Sequence, residues 1–462
     1  MKLGLSLIGA LCCAFTLFSQ NNTGIGTTTP TQKLTVEGKI QVSDDVTTPT
    51  KGTIRYNDLT DDFEGWTGFE WKSLTFNQED ISNGFVDPSA STFSYIGYST
   101  TMSTRLAAAG SLYANKVNIF AVNDGCWGWQ YSISNSAIPS STTSSQFGAS
   151  VDLFGSYTSE ILAVGEPGNS HYGTGAGIVG VYRVGSTSST YQYHIAAPDI
   201  AAGDAFGRSI SASGVQMAIA SPYADGAYSN SGAVYIYRDN VTGAAMKQKI
   251  TSPQQETNGN FGYKVLMSGY DLFIYARGEG GWTLNGRVYH YVYQPIPGIY
   301  TYQQTIGNPE PGSYRYFGAA MAVEGDHLMI GTAQSDGSTY DGTVLYYERQ
   351  AATNMYSYTQ KLTVPYTSTN DNFGTGIAVD SDRMVASAPG FDGKGANSGG
   401  LFVFERDGST WTQTKTLTVA DGKPNDYIGT SLSTWSFWYN SIIVGSTSVN
   451  TSTGAVHFLK VK

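Results

Sequence analysis

Residues 373–427, FGTGIAVDSDRMVASAPGFDGKGANSGGLFVFERDGSTWTQTKTLTVADGKPNDY, hold four short apolar-alternating runs near 375–379, 383–387, 400–405 and 411–417. Gly, Asp, Asn, Ser or Pro bounds each run. A side-chain period of two with such punctuation predicts four antiparallel strands joined by hairpins, because each strand buries one face. The stretch is one small β-sheet.

Most of the chain copies that sheet. A copy begins at Ile96-Gly97, Phe147-Gly148, Phe206-Gly207, Phe261-Gly262, Phe317-Gly318, Phe373-Gly374 and Ile428-Gly429, in steps of 51, 59, 55, 56, 56 and 55 residues. So regular a pitch is an internal repeat. An aliphatic residue stands 11 positions before five of the pairs, as Ile195, Ile250, Ile306, Leu362 and Leu417, and is expected to end the fourth strand. A twisted four-stranded sheet cannot cover its own apolar faces, whereas seven packed around an axis can. The expected fold is all-β, a seven-bladed β-propeller.

The phrases FGRSISA, AIASPYADG and SNSGAVYIYRD, then FGTGIAV, ASAPGFDG, NSGGLFVFERD and WTQTKTLTVADGKPNDYIG, resemble the FG-GAP repeats of integrin-alpha-type propellers. They are most similar to the bacterial form, whose fourth strand reads W-x-Q-x-x-x-L before an Ala-Asp-Gly turn. The resemblance covers about 95–462 and speaks to fold, since propellers host many unrelated activities.

Composition agrees with this reading and excludes others. Only 13% of residues are charged, with 55 Gly and 32 Tyr, as suits strands and turns. A formal charge of −10 with no basic cluster argues against a nucleic-acid partner. Residues 1–19, MKLGLSLIGALCCAFTLFS, read as a secretory signal peptide, and no later run is long and apolar enough to span a bilayer. Secretion or display at the cell surface is therefore expected. Removing that segment leaves Cys126 alone, so no intrachain disulfide forms. Cys126 is then either a small buried hydrophobe or a point of intermolecular pairing.

Residues 20–78 do not match the repeat, and 20–68 are expected to be a β-structured leader or linker. GIGTTTPTQKL and GTIRYN followed by FEGWTGFEWKSLTF resemble leader segments of bacterial secreted and tail-fibre-like proteins, which implies a β-structured attachment or oligomerisation region; a Thr-rich linker is the alternative. The last copy has room for three strands only. FEWKSLTF at 69–76, with an aromatic-then-Leu pattern, is expected to complete it, which sets the propeller at 69–462; the rival is ISNGFV at 81–86.

Chemistry is sparse in the pattern. The first hairpins read SASGVQ, LMSGYD, VEGDHL, VDSDRM and LFGSYTSE, and none offers the D-x-D-x-D-G ligand series that integrin-type calcium loops use. Neither a metal site nor a cofactor is expected. The five His are spread over four copies without metal spacing, there is no G-x-S-x-G elbow, and RDGSTW at 406–411 fails the Asp-box pattern. Carboxylates meeting across the channel, as in a polysaccharide-active hydrolase, are the one catalytic arrangement that spacing leaves open.

The longer loops between second and third strands carry the other candidates. In FG-GAP propellers they share a face with the inter-blade loops, where integrin-type proteins meet ligand. Tyr172, Tyr223, Tyr228, Trp282, Tyr340 and Phe391 are the expected ligand-binding residues, with packing over their own loops as the alternative for each. The expected function is non-catalytic binding or adhesion to an extracellular glycan or protein. A fibre tip oligomerised through 20–78 and the channel hydrolase are the alternatives.

Overall fold

A computed structural model describes residues 23–25, 34–36, 54–57, 62–66, 71–73, 84–85 and 94–460, less 124–125, 143, 157–158, 241–242, 281–285, 310–313, 336–341, 365–369, 420–421, 435–440 and 450–452. The signal-peptide segment 1–19 lies outside the described residues, as does the side chain of Cys126. The chain divides into two compact units, Met1–Gln78 and Glu79–Lys462.

The first unit contains two small sheets among its described residues. Thr23–Ile25 runs parallel to Leu34–Val36, and Ile54–Asn57, Asp62–Trp66 and Trp71–Ser73 form an antiparallel meander.

The second unit is the seven-bladed propeller. Six sheets have four antiparallel strands in chain order, and a seventh has three. In the copy that decides the fold the strands are Ile377–Asp380, Arg383–Ala388, Gly400–Asp407 and Thr410–Leu417. The five aliphatic residues of the 11-residue register all stand at or next to the end of a fourth strand, and all are buried. Numbered from Ile96, blades 1 to 7 pack so that the core lies between blades. One cluster joins Ala163, Val179 and Val181 of blade 2 to Phe206, Met217, Ile219 and Tyr235 of blade 3.

The Phe-Gly pair works at these junctions. Phe147, Phe206, Phe261, Phe317 and Phe373 are fully buried, and the glycine that follows each, like Gly97 and Gly429, has φ between 82° and 105°. The residue before every pair is also left-handed, from Asn260 at 51° to Tyr316 at 61°. This double kink lets the backbone of one blade lie against the preceding blade. Phe206 bridges to Gly177, Phe261 to Gly232, Phe373 to Gly342, Ile428 to Gly399 and Ile96 to Gly454. A Cβ on Gly232 would stand 2.2 Å from the Phe261 carbonyl oxygen, so only glycine fits there.

A second clamp joins neighbouring outermost strands. The Gln360 side chain accepts from the Trp411 backbone N–H at 2.8 Å and donates to the Trp411 carbonyl at 2.9 Å. Gln248 grips Tyr300 in the same way, and Gln304 grips Tyr356. The glutamine of the W-x-Q phrase, Gln413, instead donates to Thr416 Oγ1 within its own strand. Gln360→Ala is expected to cost about 2 kcal/mol in denaturant unfolding, since it strips two hydrogen bonds from a packed junction. Gln413→Ala should stay within about 0.5 kcal/mol of wild type in the same experiment.

The ring closes between blades 7 and 1. Ser431 Oγ donates to the Gly97 carbonyl at 2.7 Å, and Ile96 N–H to Thr453 at 3.0 Å. Along the outer edge of the seventh sheet, Phe85 pairs antiparallel with Val456 through N–O contacts of 2.7 and 3.0 Å. The rival segment therefore meets this edge. Segment 69–76, the expected partner, has its described residues Trp71–Ser73 in the first unit, paired with Asp62–Trp66. A hairpin joining strands four residues apart closes at far smaller entropic cost than a strand shared across the ring.

Candidate functional site

Chain direction fixes what shares a face. Each innermost strand starts where the second strand ends, so the Phe-Gly pairs, the second-to-third-strand loops and the inter-blade loops all lie at one end of the wheel. The two kinds of loop are laced together. Gly203, Ala205 and Phe206 N–H groups donate to the carbonyls of Thr174, Gly175 and Ala176 at 2.9, 3.1 and 2.8 Å. Asn258, Asn260 and Phe261 do the same to Ser229, Asn230 and Ser231, and Asn425, Tyr427 and Ile428 to Ala396, Asn397 and Ser398.

Loop side chains complete the lacing. Asp225 accepts from the Asn230 N–H at 2.8 Å and Asp392 from the Asn397 N–H at 2.8 Å. Asn230 then donates to Asn258 and Asn397 to Asn425 across the blade boundary. These four asparagines are left-handed, a conformation Asn tolerates better than most residues. The result is a stiff surface.

On it the sequence candidates stand apart. Tyr228 is 52% exposed and Tyr172 45%. Tyr172 sits edge-on to His171 with ring centres 4.6 Å apart, and its hydroxyl lies 3.4 Å from His194 Nε2. His194 is held in turn by the Tyr191 hydroxyl at 2.9 Å, and burial, followed by the nearby His171, lowers its pKa. Phe391 turns inward, edge-on to Phe402 at 5.2 Å against the core of blade 6. Tyr223 is half-buried beside Arg208. Trp282 and Tyr340 lie outside the described residues.

The channel mouth on this face holds residues that motif reading passed over. Tyr263, just after a Phe-Gly pair, receives hydrogen bonds on its hydroxyl from Arg277 Nη1 at 3.1 Å and Arg208 Nη2 at 3.4 Å. The Arg277 guanidinium lies 4.8 Å from the centre of the Tyr263 ring and 4.7 Å from that of Tyr316; Arg208 lies 5.4 Å from the Tyr263 ring. Blades 3, 4 and 5 thus contribute to one aromatic and cationic cluster.

Lys264 of blade 4 and Asp152 of blade 2, both on innermost strands, interact electrostatically. Burial pushes Asp152 up to about 6, against hydrogen bonds from the Ala212 N–H at 2.6 Å and Thr101 Oγ1 at 3.1 Å. Burial likewise lowers the Lys264 ammonium, with Arg208 adding to the effect and Asp152 opposing it. Lys264 is nonetheless solvent-accessible, because an innermost strand borders the channel. One signal was present in the sequence: FGRS and FGYK put cations where the other copies carry FGAS, FGAA, FGTG, IGTS and IGYS.

The opposite face is differently built. A cleft of about 330 Å3 is lined by residues including Tyr270, Asp271, Gly325, Arg349 and Asn354. Asp271 of blade 4 accepts from Arg349 of blade 5 at 2.5 Å and contacts His290 Nε2 at 2.7 Å. Burial opposes the charge on Asp271, yet the His290 and Arg349 hydrogen bonds outweigh it and hold the carboxyl below its usual range. His290 is fully buried and stacked on Phe273 at 4.8 Å, which makes this network an inter-blade bolt. On the same side, burial and then the charge of Asp380 raise the pKa of Glu324. No group of three or more His, Cys, Asp or Glu converges among the described residues.

Comparison with known proteins follows this geometry. The FG-GAP repeat family matches residues 190–237 and 356–404. Each match runs from the fourth strand of one blade through the third strand of the next. No curated protein matches the chain. Among solved structures it is similar to the structure of U3-55K, with TM-score 0.54 and 10% identity over 83% of this chain and 98% of that one. The crystal structure of RRP9 WD40 repeats is similar to the same extent, with TM-score 0.53, 10% identity and the same coverage. At that identity the likeness is one of fold. No described helix is long and apolar enough to cross a membrane. A rigid wheel with one laced loop face suits binding to another molecule.

Proposed function

Taking a seven-bladed wheel that carries FG-GAP repeats as the premise, we propose a secreted or cell-surface binding protein of the adhesion type. It recognises an extracellular glycan or protein through the laced loop face, by surface complementarity and without covalent chemistry. The observation that carries this reading is the lacing itself. A face whose loops are fixed by hydrogen bonds between blades loses little conformational freedom when a ligand docks, and that lowers the cost of binding. Exposed Tyr172 and Tyr228 add flat amphipathic contacts of the kind binding surfaces favour.

An array of extracellular glycans and matrix proteins, probed with the purified chain, tests the reading. The expected result is a restricted set of ligands whose signal falls at least about tenfold in Tyr172→Ala/Tyr228→Ala, the loss of two aromatic anchors. Absence of any ligand, or a signal indifferent to loop-face substitutions, overturns it. The separate β-structured first unit supports a second reading, a fibre tip. A trimer in solution that is lost on deleting 20–68 supports that reading, and a monomer removes it.

A further inference from the structure

We infer that the channel mouth on the loop face is an anion-binding site that takes the carboxylate or sulfate of an acidic sugar residue between Arg208 and Arg277. This deepens the loop-face reading and rests on it. The first observation is an imbalance of charge. Four arginines elsewhere find carboxylates: Arg349 pairs with Asp271 and Asp326, Arg406 with Asp382, Arg287 with Glu256 and Arg383 with Glu405. Arg208 and Arg277 make no ion pair among the described residues, and neither does Lys264 behind them. Three cations thus meet at one opening, with Asp152 as the single carboxylate interacting with Lys264, in a chain whose formal charge is −10.

The second observation is how the two guanidinium groups are held. Both donate to the same Tyr263 hydroxyl, and both lie over its ring. Arg277 also hydrogen-bonds Tyr316, and two phenolic oxygens still use only part of the hydrogen-bonding capacity of two five-donor forks, while each arginine keeps part of its surface open. Held at a shared anchor, the free N–H groups form a fixed fork pair suited to the planar oxygens of a carboxylate or the oxygens of a sulfate.

The third observation selects the carrier of that anion. The mouth is bordered by Tyr98, Tyr223, Tyr263 and Tyr316, all half-buried. Flat phenol faces and hydroxyls complement a sugar ring, which is hydroxylated around its rim. The aliphatic stem of an aspartate or glutamate side chain finds less to match.

Titration calorimetry on the full secreted chain tests the inference with three probes: an oligogalacturonide, its neutral methyl ester, and an oligoglutamate peptide; a sulfated oligosaccharide distinguishes the two anion sources. The expected result is binding of the oligogalacturonide or the sulfated sugar, weaker at high salt, and at least about tenfold weaker with the neutral ester. Arg208→Gln/Arg277→Gln should lose about tenfold or more, while Arg277→Lys keeps most of the salt dependence. A neutral ester bound as tightly, oligoglutamate bound more tightly than the sugars, or an affinity of the wild-type chain independent of salt overturns the inference. The salt series needs no variant, so a misfolded double substitution does not blunt the test. If the array finds loop-face ligands and all of them bind the double variant normally, the anion site fails and the loop-face reading stands. If the array finds none and no acidic sugar binds, both fail.

Discussion

Phe206→Ala is expected to lower the unfolding free energy by about 3–5 kcal/mol, the range for deleting a fully buried phenylalanine. The ring is completely enclosed at the junction of blades 2 and 3, with Tyr235 edge-on at 5.7 Å and Tyr237 at 6.3 Å. Its neighbours cannot collapse into the space, because Tyr235 and Tyr237 are tied through their hydroxyls to Asp199 and to the Ala196 carbonyl. The cavity therefore persists, which places the loss toward the upper end. Chemical denaturation followed by tryptophan fluorescence reads the effect. A loss below about 1 kcal/mol would mean that this junction contributes little to the stability of the wheel.

Gly232→Ala is expected to be comparably damaging. The substitution meets two separate obstacles, a φ of +84° and a Cβ placed 2.2 Å from the Phe261 carbonyl oxygen and 2.5 Å from its nitrogen. Those atoms are backbone, so relief requires blades 3 and 4 to part. Overpacking of this kind costs about 1–3 kcal/mol on its own, and left-handed strain adds about 1–2 kcal/mol. Gly214 supplies the internal control: its φ is +62°, yet a Cβ there meets nothing within 4 Å. Gly214→Ala should show the strain alone, about 1–2 kcal/mol. Equal losses at the two positions would show that close approach between blades is not what the motif glycine provides.

Much of the wheel could be read from the chain because its determinants are local. A period of two, a turn residue and a Phe-Gly pair every 55 residues or so each act within one blade, and each leaves its mark in one stretch of sequence. Closure is different. The aromatic-then-Leu pattern at 69–76 matches an outermost strand, but patterns do not encode partners, and Trp71–Ser73 pairs with its neighbour Asp62–Trp66. Phe85, seen in isolation, differs little from any apolar residue in a loop.

Loop aromatics show the same limit on a smaller scale. Aligned by their Asp-Gly pairs, SPYADG and APGFDG put Phe391 where the sister loop has Ala224, which is 3% exposed. The position faces the core in both blades, and the larger residue fills space under its own loop. Tyr228 and Tyr172 have no such buried counterpart and remain outside. The channel mouth was the least legible part. Arg208, Tyr263, Arg277 and Tyr316 come from three blades, and the cations of FGRS and FGYK mark only part of the opening they share.

The pairing of Phe85 with Val456 bears on how the protein is made. One half of that seam is synthesised before any blade and the other after nearly all of them, so six sheets assemble while the seventh still lacks its partner. A chain cut before Val456 would lose this seam and hold blades 7 and 1 together only through such contacts as Ser431 to Gly97 and Ile96 to Thr453.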